Sequence, residues 1–150
     1  MKILSLVSSI WLKNNKNQQM KPKTINTLYW VFTILFAGLM IFSAIPNMLL
    51  DKNTMEIFVK GLGYPAYFIQ LLGIVKLLGS IAILIPGLNK TIKEWAYAGL
   101  FFDLAGAVYS GIAVAKGNVD PAMLGMLIWI VPGILSYIFW KKKMKLEMQG

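Results

Sequence analysis

Four long stretches of the chain are almost free of polar residues, and short polar segments separate them. They run from about Leu28 to Leu50, Pro65 to Ile85, Trp95 to Val114 and Pro121 to Trp140. Each has about the twenty residues that an α-helix needs to cross ~30 Å of hydrocarbon. The strict apolar–polar alternation of membrane barrel strands is absent. The pattern predicts an all-α, polytopic membrane protein built as a bundle of four transmembrane helices. Punctuation agrees with these limits: Pro65 opens the second stretch, Pro86-Gly87 stops it, and Asp120 and Pro121 supply a cap and a first-turn proline for the fourth.

Between the first two stretches lies the segment from Asp51 to Pro65. Asn53 with Glu56 three residues later resembles a capping arrangement, and Met55, Phe58, Val59 and Leu62 follow helical spacing. A short interfacial helix closed by Gly61 or Gly63 is expected, with an ordinary re-entry loop as the alternative. Residues 1–24 form a separate leader. Its apolar run Ile3–Leu12 is too short to span a bilayer, and no small-residue cleavage site follows it. Met20, before Lys21-Pro22-Lys23, would itself make a reasonable start. The leader is expected to be cytoplasmic, either disordered or lying at the interface. The membrane domain covers residues 25–140, and residues 141–150 form a lysine-rich cytoplasmic tail.

Composition narrows the chemistry. With 57% hydrophobic residues the chain is too apolar for an ordinary soluble domain. It has no cysteine and no histidine, so disulfides, thiolate metal sites and histidine-ligated haem cannot be built from this chain alone. No metal site is expected. All fifteen basic residues are lysines and the net charge is +9, but they cluster at the ends of apolar stretches. That distribution reads as a topology signal rather than a nucleic-acid surface. Eleven lysines (Lys2, Lys13, Lys16, Lys21, Lys23, Lys90, Lys93, Lys141, Lys142, Lys143 and Lys145) fall on one side, and three (Lys52, Lys60 and Lys116) on the other. Both termini are therefore expected in the cytoplasm. Trp30, Trp95 and Trp140 fall on that same side, as interface anchors do.

The fifteenth lysine, Lys76, lies near the middle of the second stretch, and Asp103 near the middle of the third. A charge at that depth costs a few kcal/mol even on lenient insertion scales, so such residues face a bundle interior, pair, or line a path. Gly73, Gly79 and Ser80 share the helix face of Lys76; Gly99, Gly106, Ala107 and Ser110 share that of Asp103. Gly125, Trp129, Pro132, Gly133 and Ser136 repeat the pattern in the fourth stretch. Small residues mark helix contact faces in membranes, so the three faces are expected to converge. The two charges lie within about two residues of the same depth, ~3 Å of rise, so a Lys76–Asp103 ion pair is expected. It reads either as a tie between helices or as a proton or substrate site. Ser80, Ser110, Asn47, Tyr109 and Gln70 are candidate cavity lining, and Tyr64, Tyr67 and Ser43 could add polar lining toward the outer side. The nine methionines are scattered and read as packing.

Leu62-Gly63-Tyr64-Pro65, the run from Leu71 to Gly87 bearing Lys76, and the run from Lys93 to Gly111 with its Glu-Trp-Ala-Tyr-Ala-Gly entry and Asp103 resemble the DoxX-like family of small bacterial membrane proteins. The resemblance covers about residues 25–140. It implies a four-helix bundle in the bacterial inner membrane. Some relatives are associated with quinone-linked sulfur oxidation or membrane redox complexes. Related sequences often carry a histidine where this chain has Gly111; a role resting on that histidine does not carry over. The expectation is a non-catalytic subunit or accessory of a membrane complex, with quinone as the cofactor class to test and no catalytic residues of its own. The alternative is a small proton or solute carrier using the Lys76–Asp103 pair. Expected partners are the lipid bilayer and a membrane protein or a second copy of the chain, not nucleic acid.

Overall fold

The computed structural model describes residues 1–17, 20–115 and 125–148, and among them it is built from helices without strands. The leader contains α1 (Lys2–Asn17). The bundle consists of α2 (Pro22–Leu49), α4 (Ala66–Leu84), α5 (Lys90–Val114) and α6 (Leu127–Glu147), with the short α3 (Lys52–Thr54) and a π-helical turn (Met55–Gly61) between α2 and α4. Successive bundle helices alternate in direction. The starts of α2 and α5 therefore meet the ends of α4 and α6 at one lysine-rich end, as contacts of Tyr29 with Ile83 and of Glu94 with Lys141 record. The opposite end carries Tyr64.

α2 is the central helix, packed along both α4 and α6, while α5 leans on α4 and touches α6 more lightly. Close approach of α2 and α4 depends on Gly73: a Cβ there would lie 2.8 Å from the Met48 side chain and 3.0 Å from the Ala44 carbonyl. On the other flank a Cβ at Gly133 would lie 2.8 Å from the Phe36 ring. The core is Tyr29, Phe36, Ala37, Met40, Ile83, Tyr97, Leu100, Leu104 and Trp140. Large aromatic side chains bridge the wider gap between α2, α5 and α6. Phe36 stacks on Phe101, and Tyr97 stacks on Trp140.

Several expectations change. Among the described residues three helices, Pro22–Leu49, Ala66–Leu84 and Lys90–Val114, are long and apolar enough to cross a membrane. α6 packs with them and runs on through Lys141, Lys142 and Lys143 to Glu147, so the helix extends into the lysine-rich segment. The expected cap at Asp120 and proline at Pro121 lie outside the described residues. In the leader, Lys2–Asn17 is helical, with Ile3, Leu4, Leu6, Val7, Ile10 and Trp11 exposed. The hairpin cap is Asp51, not Asn53: its carboxylate accepts from Thr54 N–H at 2.8 Å. Hydrogen bonds from the Thr54 side chain and then its backbone hold that carboxyl below its ordinary value of 3.8. Of the two glycines considered as the stop, Gly63 takes the left-handed turn at φ 76°.

Candidate functional site

Lys76 is buried on α4 one turn beyond the tight crossing at Gly73. α5 lies against α4 at Gly79, where an added Cβ would be 3.3 Å from Leu100. This contact sets the register that brings Asp103 level with Lys76. Lys76 Nζ and Asp103 Oδ2 are 3.0 Å apart, with side-chain exposures of 9% and 14%. The charges therefore cancel inside the helical layer, where either alone would be expensive.

The pair does not sit in a sealed core. It lies in the wall of a cleft of about 560 Å³ between α4 and α5. Such a volume is within the range of small-molecule sites, ~300–1,000 Å³. Along α5 the lining runs from Ile92 to Ser110, roughly 27 Å of helical rise, close to the hydrocarbon thickness. Val75, Leu78, Trp95 and Phe102 line it and are also widely exposed, so the cleft opens sideways on the bundle surface. Its remaining walls are nearly all apolar. At the Tyr64 end, Tyr64 Oη and Ser110 Oγ share a hydrogen bond of 2.6 Å, and Ser110 also donates to the Gly106 carbonyl at 2.7 Å. Phe58 and Leu62 come from the π-helical turn and the residue after it. Without that segment this end of the cleft would lack its cover.

The sequence candidates divide. Asn47 and Ser110 line the cleft with Lys76 and Asp103. Ser80 is fully buried and donates to Lys76's own carbonyl at 2.7 Å, so it braces the helix. Gln70 is exposed and reaches the Met48 carbonyl at 3.3 Å. Tyr109 is 75% exposed and does not line the cleft. Tyr67 is exposed too, and Ser43 bonds to the Met40 carbonyl. The small-residue face of α5 also behaves differently from expectation. Gly99 and Gly106 have nothing within 4 Å of an added Cβ. Instead of seating another helix, they hollow out the cleft.

Sequence reasoning missed Trp95 and Phe102, because apolar residues in an apolar helix carry no distinguishing signal. It also missed a second polar cluster at the lysine-rich end. Ser136 hydrogen-bonds Thr33 at 2.7 Å and Tyr97 at 2.6 Å, tying α2, α5 and α6 together. Lys93, counted from sequence as an interface lysine, is buried. Its Nζ donates to Tyr29 Oη at 3.0 Å and to the Ile85 carbonyl at 2.9 Å, past the last turn of α4. A cation there satisfies a free carbonyl and complements the negative end of the helix dipole. Only a helical wheel extended back to Lys90 would have placed Lys93 on the inner face with Tyr97 and Leu100.

The sequence profile of the DoxX-like family matches residues 31–134. No curated protein and no solved structure matches the chain.

Proposed function

The chain belongs to the DoxX-like family, and from that premise and the α4–α5 cleft we propose that it is an accessory subunit of a membrane complex that holds a membrane-soluble ligand beside Lys76 and Asp103. The observation that carries this reading is the ion pair set in the wall of a sideways-open, mostly apolar cleft. A purely structural tie needs no such space. A ligand oxygen entering the cleft would meet an ammonium donor, which polarises a carbonyl. Quinone is the redox-linked member of that ligand class. The chain supplies a binding wall and a charge pair, and electron transfer would rest with a partner.

The reading includes a fourth span formed by α6, insertion in the bacterial inner membrane, and both termini in the cytoplasm. The lysine distribution supports that orientation. Reporter fusions after Gly150 and within the Asp51–Gly63 segment should report opposite sides; matching sides would remove the four-span reading. Purification in mild detergent should bring down a stable membrane partner, and solvent extraction of the purified protein should release a stoichiometric lipophilic ligand. Absence of both would sink the proposal. The mid-depth position of the ion pair in so long a cleft favours one second reading, a small proton or solute carrier. In liposomes that reading requires a flux that Lys76→Met abolishes.

A further inference from the structure

Charge balance in the cleft narrows the ligand class, on the premise that the cleft binds a ligand at all. Among the described residues that line the cleft, the only full charges are Lys76 and Asp103, and they cancel at 3.0 Å. The other polar lining groups, Asn47, Tyr64 and Ser110, are neutral hydrogen-bonding side chains. A phosphate or carboxylate head beside the pair would face Asp103 in a water-poor setting, and a cationic head would face Lys76. Neither has a spare counter-charge in the cleft. The ion pair uses one carboxylate oxygen, Oδ2. An ammonium has three donors and a carboxylate two acceptor oxygens. A hydroxyl can therefore accept from Lys76 while donating to Asp103.

Shape adds a second restriction. The cleft is open at the side, is walled by Val75, Leu78, Trp95 and Phe102, and runs nearly the thickness of the hydrocarbon. A chain lying parallel to α4 and α5 would fill it, and such a chain enters from the membrane rather than from water. We infer that the cleft selects electrically neutral lipids whose head carries a hydroxyl, such as a polyprenol, a diacylglycerol or a reduced quinone, and excludes anionic phospholipids.

The test uses the full-length protein in detergent micelles with equimolar polyprenol, diacylglycerol and phosphatidylglycerol, and native mass spectrometry of the complexes. The neutral lipids should be retained at least about tenfold over phosphatidylglycerol, equivalent to roughly 1.4 kcal/mol of discrimination. Asp103→Asn leaves the lysine unbalanced and should shift retention toward phosphatidylglycerol. Gly106→Leu serves as a blocking variant. An added side chain at Gly106 starts in open space, and leucine favours the helix over glycine, so this protein should fold while losing the bound lipid. Phosphatidylglycerol retained by the native protein and displaced by Gly106→Leu would overturn the charge argument and leave the cleft as a binding site. Retention of any lipid unaffected by Gly106→Leu places it elsewhere and overturns the inference. No lipid retained at all overturns the binding reading on which the inference stands.

Discussion

Two of the polar clusters inside the helical bundle have opposite surroundings. At the lysine-rich end, Thr33, Ser136 and Tyr97 form a chain of hydrogen bonds among α2, α5 and α6, with Phe36, Phe101 and Trp140 packed around it. Thr33 and Ser136 are fully buried, and a Cβ added at neighbouring Gly133 would collide with the Phe36 ring. On the far face of α5, Lys76 and Asp103 make a stronger electrostatic contact beside empty space, and Gly99 and Gly106 look onto that space. Polarity in a membrane helix is thus not one signal. Sealed by aromatic packing, it joins helices. Left beside a cleft, it is available to a ligand. The packing around the polar group separates the two roles, and its charge does not.

The sharpest way to break this comparison is at the ion pair. Lys76→Met or Asp103→Leu alone strands a buried charge, and each should cost about 3–5 kcal/mol of unfolding free energy, less if water reaches the cleft. The double replacement should recover most of that loss in a detergent unfolding titration. Strictly additive single effects would mean that the residues are not coupled.

The glycines give the next largest contrast. Gly133→Ala forces a methyl against Phe36 and should destabilise by about 1–3 kcal/mol. Gly106→Ala meets nothing and should stabilise by up to about 1 kcal/mol through helix propensity. Opposite signs in thermal unfolding support the distinction between sealed and open faces; equal signs abolish it. Ser136→Ala removes the hub of the sealed network. Hydrogen bonds between membrane helices average about 0.6 kcal/mol each, so losing two should cost about 1 kcal/mol. Ligand retention in the α4–α5 cleft should not change.

The smallest effect concerns the hairpin cap. Hydrogen bonds from Thr54 depress the Asp51 carboxyl, so the folded state favours its ionised form. That stability is fully present above the ordinary value of 3.8 and fades as pH falls below it through the lower folded-state value. Hydrogen exchange at the Thr54 amide, corrected for its intrinsic pH dependence, should lose protection over that acidic range. Asp51→Ala should show weak protection at every pH.

Much of the architecture was legible because the bilayer leaves few choices. An unbroken apolar run of about twenty residues satisfies its backbone in lipid as a helix, and Pro65 and Pro86-Gly87 mark where one such run starts and stops. That logic places α4 and the apolar core of α2 and α5 within a few residues of their observed limits. The ion pair was legible for a related reason: helical periodicity assigns a face, and counting from the span ends assigns a depth. Lys93 escaped because lysines near span ends are ordinarily interface residues. Tyr109 was expected in the lining as a polar side chain toward the outer side, but Ser110 lines the cleft, and its neighbour on the helix is turned from it by about 100°.

The sequence alone therefore determined where the three long apolar helices lie, that the chain is of a membrane type, and that Lys76 and Asp103 lie level with one another. Those properties follow from composition and period, which are local. Tertiary structure alone decided whether a small-residue face is filled or empty. At Gly73 and Gly133 a neighbouring helix or ring closes the gap, whereas at Gly99 and Gly106 none does. A missing side chain permits close approach but does not supply the neighbour. Whether one arrives depends on the bulk of distant residues such as Phe36, Phe101 and Tyr97, which hold α5 away from α2 at one flank while α4 meets it at the other.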